Sequence, residues 1–220
     1  MELEKTKMVT PVAKSIFGVL KEARNLYGEH RVKLFLATID SEVENMSVNH
    51  QAEINEFLNQ KQSKKVLADY ADAITNTSSE IVLRALALLF ISDRQFDFSD
   101  QEKARFVACT NGLDDLKVNL FVKLSGLKKT GSDTVYPTYK ISHLKFDSLN
   151  LGVEIDELFA YTEDLFKRGL LLRDPRGDLG SNFYAPKDSE WLIYFGISST
   201  LQRYAALFRK AKFLAGESAS

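Results

Sequence analysis

Gly126 and Gly131 stand at the spacing of a phosphate-binding loop, G-x-x-x-x-G-K-[ST], where backbone amides cradle phosphates and a lysine supplies a point charge. Ser132 and Asp133 fill the lysine and hydroxyl positions, so the charge is missing and a carboxylate would repel the phosphates. The stretch Ser125 to Pro137 reads instead as a loop or linker, because its glycines, serines and proline break any period. Asp93, Gln95, Asp97 and Ser99 alternate as in a calcium loop. Phe98 stands where the sharp turn needs glycine, however, and Ala104 where a bidentate glutamate is needed. Those residues are better explained as a connection between helices, with Phe96 and Phe98 packing inward and Ser99 capping the next helix.

Other reactive residues fail for equally local reasons. His30, His50 and His143 form no H-x-x-x-H or H-E-x-x-H pair, so zinc has no local support. Gly196 to Thr200 lacks the second glycine of a nucleophile elbow, and Ser198 or Ser199 reads as a cap of the last helix. Cys109, the single cysteine, can form neither an internal disulfide nor a zinc site, and on an apolar face it behaves as a small hydrophobe. Arg176, Gly177 and Asp178 spell an integrin-binding tripeptide that only an extracellular protein would use, and they read as a tight turn. No catalytic, metal or cofactor residue is assigned. The chain is expected to be no enzyme and to use no cofactor, unless residues distant in sequence converge in space.

Composition sets the frame for these residues. The chain has 220 residues, 45% of them hydrophobic, enough for a core in one large domain or two small ones. Its 29 basic and 30 acidic residues nearly cancel, so binding to nucleic acid or an anionic membrane would need a local patch. Residues 1–10 lack the apolar core of a signal peptide. The run Ile81 to Ile91, interrupted by Arg84, falls short of the roughly 20 residues that span a bilayer. A cytoplasmic protein that does not enter membranes is expected.

The elements that must position these residues follow from period and caps. Thr10 and Pro11 open a helix whose stripe runs from Val12 to Leu26, with Gly28 as its stop. Val32, Phe35, Leu36, Ile39, Val43 and Met46 mark a second helix, antiparallel to the first. Ile54 to Ile74 forms one helix or two. Thr77 with Glu80, and Ser99 with Glu102, have capping-box spacing ahead of two further helices. Leu116, Leu120, Leu124 and Leu127 mark another. After the linker come a helix over Leu151 to Leu172 that stops at Gly169, a strand at Leu170 to Leu172, a turn, and a second strand from Phe183. A strand at Thr138 to Ser142 and a last helix over Ser199 to Leu214 complete the pattern.

The segment SLNLGVEIDELFAYTEDLFKRGLLLRDPRGDLGSNFYAP resembles the second half of a winged-helix domain, where a recognition-type helix ending L-x-x-x-G-L-L leads into a two-stranded wing. Leu165, Gly169, Leu170 and Leu171 carry that ending, and the segment covers about a quarter of the chain. With the helical amino-terminal half and the later phrase LIYFG, the chain is also similar to bacterial helical families of uncharacterised function, some labelled abortive-infection proteins. The expected fold is mainly α: a helical bundle over 1–127 and a winged-helix-like domain with a small β-hairpin over 128–220. A boundary nearer Asn111 would apply if the Leu116 helix opens the second domain.

Charge divides the functional readings. Glu154, Asp156, Glu157, Glu163 and Asp164 lie on the recognition-type helix and would oppose docking on a polyanion. Lys167, Arg168, Arg173 and Arg176 near the wing, with Arg203, Arg209, Lys210 and Lys212 on the last helix, form the candidate nucleic-acid or partner surface. The leading expectation is a non-enzymatic regulatory protein that contacts a protein partner or itself. The alternative is a DNA-binding regulator docking through the wing and the basic last helix.

Overall fold

The computed structural model describes residues 28–59, 63–93, 95–130, 134–174, 182–184 and 191–216. The helix expected over Val12 to Leu26 lies outside them. Among the described residues nine helices and three short strands make a mainly α protein. The helices are α1 (Gly28–Glu44), α2 (Val48–Asn59), α3 (Ser63–Asn76), α4 (Glu80–Phe90), α5 (Asp100–Thr110) and α6 (Asp115–Ser125). Then come β1 (Thr138–Ser142), α7 (His143–Leu149), α8 (Ile155–Arg168), β2 (Asn182–Tyr184), β3 (Trp191–Gly196) and α9 (Ser199–Leu214). No helix of the described residues is long and apolar enough to cross a membrane. The described parts of 28–115 and 207–216 form one compact unit, and those of 116–206 form another.

In the first unit the apolar period of α1 is its buried stripe: Val32, Phe35, Leu36, Ile39 and Val43 are all buried. Gly28 is the first residue of that helix, and the helix it was expected to end lies outside the described residues. Helix α4 is apolar nearly all round, and from Ile81 to Phe90 every residue but Arg84 is buried, the pattern of a central helix. Arg84 reaches out of the core to Glu80 Oε1 at 2.6 Å. Phe35, Tyr70 and Phe90 meet as a cluster of tilted and edge-on rings with centroids 5.4–6.5 Å apart, a packing that complements the ring quadrupoles.

Caps fix where these helices start. Ser99 and Glu102 form the expected capping box at α5. Phe96 and Phe98 stack at 6.0 Å and are buried, as expected for that connection. The expected box of Thr77 and Glu80 is not formed. Ser79 caps α4 by accepting from the Val82 N–H at 2.9 Å, while the Thr77 hydroxyl donates to the Leu113 carbonyl at 2.6 Å. A buried hydroxyl goes to the partner that leaves the fewest unsatisfied groups, and the Leu113 carbonyl comes from 36 residues away. In α6 the buried face is Val118, Leu120, Phe121 and Leu124, whereas Leu116 is 52% exposed.

The second unit is built on a three-stranded antiparallel sheet in the order β1-β3-β2. Strand β1 occupies the expected residues, and the phrase LIYFG is the core of the central strand β3. Tyr139, Ile141, Ile193 and Phe195 turn to the buried face, where Tyr139 and Phe195 stack at 5.5 Å. Trp191 is held edge-on by Phe146 and Phe159 at 5.7 and 5.4 Å.

The helix expected over Leu151 to Leu172 is shorter at both ends. Gly152 at φ 76° delays its start until Glu154 and Glu157 form a capping box, and Gly169 at φ 74° ends it. The expected strand at Leu170 to Leu172 reduces to one bridge, Leu172 to Gly196. The amides of Leu170 and Leu171 already donate to the Leu165 carbonyl at 2.9 and 3.2 Å, so they cannot join a ladder. The hairpin is instead β2 with β3, Phe183 opposite Leu192. The expected turn at 175–181 lies outside the described residues.

Candidate functional site

Helix α8 carries the charge that separates a nucleic-acid reading from a protein reading, and three of its carboxylates are engaged. Glu157 closes the capping box by accepting from the Glu154 N–H at 2.9 Å. Asp164 accepts from Arg168 Nε at 2.9 Å and pairs with Lys117 at 3.2 Å. Partial burial would raise the pKa of Asp164, but the hydrogen bonds and charges of Arg168 and Lys117 outweigh it and hold the carboxyl below its ordinary value. Glu163 faces Lys167 at 4.0 Å and Arg173 at 3.8 Å. Arg173 also lies 5.4 Å over the Phe166 ring. The structure therefore gathers Lys167, Arg168 and Arg173 around α8, each against an acid of that helix.

The last helix distributes its cations differently. Lys210 turns inward and is shared by Asp93 and, at 3.5 Å, Glu42. Arg203, Arg209 and Lys212 are likewise engaged within the chain. Arg176 lies outside the described residues. Of the eight cations the seven described ones divide between the units: Lys167, Arg168, Arg173 and Arg203 belong to the second, and Arg209, Lys210 and Lys212 to the first.

The motifs weighed for chemistry take structural roles. Asp93 is buried, and its Oδ1 accepts from the Gln95 N–H at 2.9 Å. Cys109 is buried. Ser198 accepts from the Leu201 N–H at 3.3 Å, the expected cap of α9. Among the described residues no group of three or more His, Cys, Asp or Glu side chains converges to hold a metal ion. Gly131, Ser132 and Asp133 lie outside them, as do Gly177 and Asp178.

Sequence reading missed a cavity of about 450 Å³ in the helical unit, between the carboxyl-terminal end of α4 and residues of α2, α3 and α5. Ile54, Phe90 and Val107 give it apolar walls. His50 sits at its edge, buried, with Nε2 3.1 Å from the Ile91 carbonyl and Nδ1 3.2 Å from Glu53 Oε2. Lys103 donates to the Ser92 hydroxyl at 2.6 Å, and Ser92 holds a left-handed φ of 52°, a conformation that costs a non-glycine residue about 1–3 kcal/mol. Tyr70 is 3% exposed, and its hydroxyl has no hydrogen-bond partner among the described residues. Burial raises its pKa far above the ordinary phenol value, so it stays a neutral hydroxyl. Sequence offered one signal here, a tyrosine on an apolar helical stripe where leucine would pack as well.

No family model, curated protein or solved structure matches this chain.

Proposed function

We propose that the chain is a non-enzymatic regulatory protein of the cytoplasm whose second unit is a winged helix used to contact another protein. The observation that carries this reading is the pairing of Lys167, Arg168 and Arg173 with Glu163 and Asp164 on the helix that would otherwise face a nucleic acid. Phosphates would have to displace those carboxylates, and the remaining acids, Glu154, Asp156 and Glu157, would still oppose a polyanion. The winged-helix assignment is supported by the order α6, β1, α7, α8 and hairpin, and by the glycine-terminated helix that enters it. Leu144, 83% exposed on α7, and Ile155, 46% exposed at the start of α8, give that unit apolar side chains for a partner.

The test compares duplex binding with protein binding. In fluorescence anisotropy at low salt, the chain should leave a labelled duplex unbound, and the double variant Glu163→Gln, Asp164→Asn should gain salt-sensitive affinity because its cations are released. Tight, steeply salt-dependent binding by the unaltered chain overturns the reading in favour of a DNA regulator. On the protein side, sedimentation or pull-down should yield a defined complex or dimer that Leu144→Asp and Ile155→Asp weaken. A strict monomer with no such partner also overturns it.

A further inference from the structure

We propose that the cavity in the helical unit is a binding site for a small organic amine, with an aromatic or branched aliphatic body inside and its ammonium at the mouth. Every lining residue belongs to that unit, so the site is independent of the winged-helix reading.

Volume comes first. About 450 Å³ lies within the range of roughly 300–1,000 Å³ that small-molecule sites occupy. The walls of Ile54, Phe90 and Val107 suit an apolar body. His50, Glu53, Asp69, Ser92, Asp100 and Lys103 make the rest of the lining polar, the mixed lining of a site that orients a ligand with few polar contacts.

The unused polar groups set the ligand's chemistry. Tyr70, held edge-on by Phe90 at 5.4 Å, presents a neutral hydroxyl without a partner among the described residues. Tyr70 lines the cavity, where its hydroxyl can donate to or accept from a bound group. Asp69 and Asp100 line the same cavity on α3 and α5, are exposed, and have no ion pair or side-chain hydrogen bond among the described residues. The other charged groups have hydrogen-bond partners within the chain. Glu53 faces His50 at 3.2 Å, and Lys103 is directed onto Ser92, whose left-handed backbone presents the hydroxyl. Two unpaired carboxylates against one hydrogen-bonded ammonium favour a cation at the mouth. The rings of Tyr70 and Phe90 add the face or edge that an ammonium-bearing aromatic recognises.

The test uses the full chain and three probes of matched shape: phenethylamine, 2-phenylethanol and 3-phenylpropionate, titrated by calorimetry or ligand-observed NMR. Saturable one-to-one binding of phenethylamine is expected, with the alcohol and the carboxylate weaker by about tenfold or more. Tyr70→Phe should weaken the amine by about fivefold, the loss of one hydrogen bond. The double variant Asp69→Asn, Asp100→Asn should weaken it by about tenfold or more and remove its salt dependence. Both positions of the double variant are exposed, so its melting temperature should match that of the unaltered chain. The proposal is overturned if phenethylamine fails to saturate, if either uncharged or anionic probe binds as tightly, or if the folded double variant binds the amine unchanged.

Discussion

Replacing Gly196 with alanine should destabilise the second unit through one contact. A Cβ built on Gly196 would lie 2.2 Å from Cε2 and 2.4 Å from Cδ2 of Tyr136, far inside van der Waals contact. The ring cannot yield freely, because its hydroxyl donates to the Arg173 carbonyl at 2.5 Å. Nor can the backbone retreat, since Gly196 exchanges two hydrogen bonds with Leu172 at 2.9 and 2.6 Å. Overpacking costs about 1–3 kcal/mol. If the ring swings out instead, the clash is exchanged for the lost hydrogen bond, about 1 kcal/mol. A cost of about 1–3 kcal/mol is expected. Trp191, the single tryptophan, lies on the same strand and reports this unit in urea unfolding followed by fluorescence. The diagnostic result is a double-mutant cycle with Tyr136→Ala, in which most of the cost of Gly196→Ala should vanish. A cost below about 0.5 kcal/mol, or the same cost with and without the ring, would refute the steric argument.

Lys210→Met should cost about 2–4 kcal/mol by leaving Asp93 buried without its cation, discounted because the ammonium is partly solvated. Adding Asp93→Asn should recover part of that loss in denaturant titrations. Ser99→Ala removes the cap of α5 and should lower stability by about 1 kcal/mol, seen as a shift in urea midpoint without a change in slope. Burial and the charge of Asp174 raise the pKa of the Tyr136 phenol, so the folded state resists its ionisation. Its contribution is complete below pH 10.0, the ordinary phenol value, and is lost as pH rises beyond it; Tyr136→Phe and Tyr70→Phe should each remove a component of the tyrosinate absorbance that titrates above that value. Asp164 behaves oppositely. Its lowered pKa means that stability is present above the ordinary value of 3.8 and lost as pH falls below it, a decline that Asp164→Asn should flatten in acid unfolding curves.

Several parts of the candidate surfaces were legible in sequence because they depend on neighbours along the chain. Lys167 and Arg168 stand four residues after Glu163 and Asp164, a spacing that puts each pair on one helical face, although both cations were expected on a docking surface rather than in these pairs. Lys210 shows the limit. A cation near the carboxyl end of an amphipathic helix reads as solvated, yet its partner Asp93 is 117 residues away and no local pattern announces it. The cavity was equally silent: His50, Tyr70, Ser92 and Lys103 come from four separate segments, and only packing brings them to one space.

Sequence by itself determined the helical character of the described residues, the buried stripe of α1, the Ser99 cap, a serine cap at 198 or 199, and the strand and helix at 138–142 and 199–214. Each is a matter of period or of hydrogen bonds that close within four residues. Tertiary structure alone decided that LIYFG is the central strand, that Leu170 and Leu171 stay in the terminal turn of α8, and that Thr77 leaves its expected box for Leu113. In each case a backbone or hydroxyl group chose between a near partner and a distant one. That choice depends on which arrangement leaves fewer buried polar groups unsatisfied, a quantity that exists only once the chain has packed.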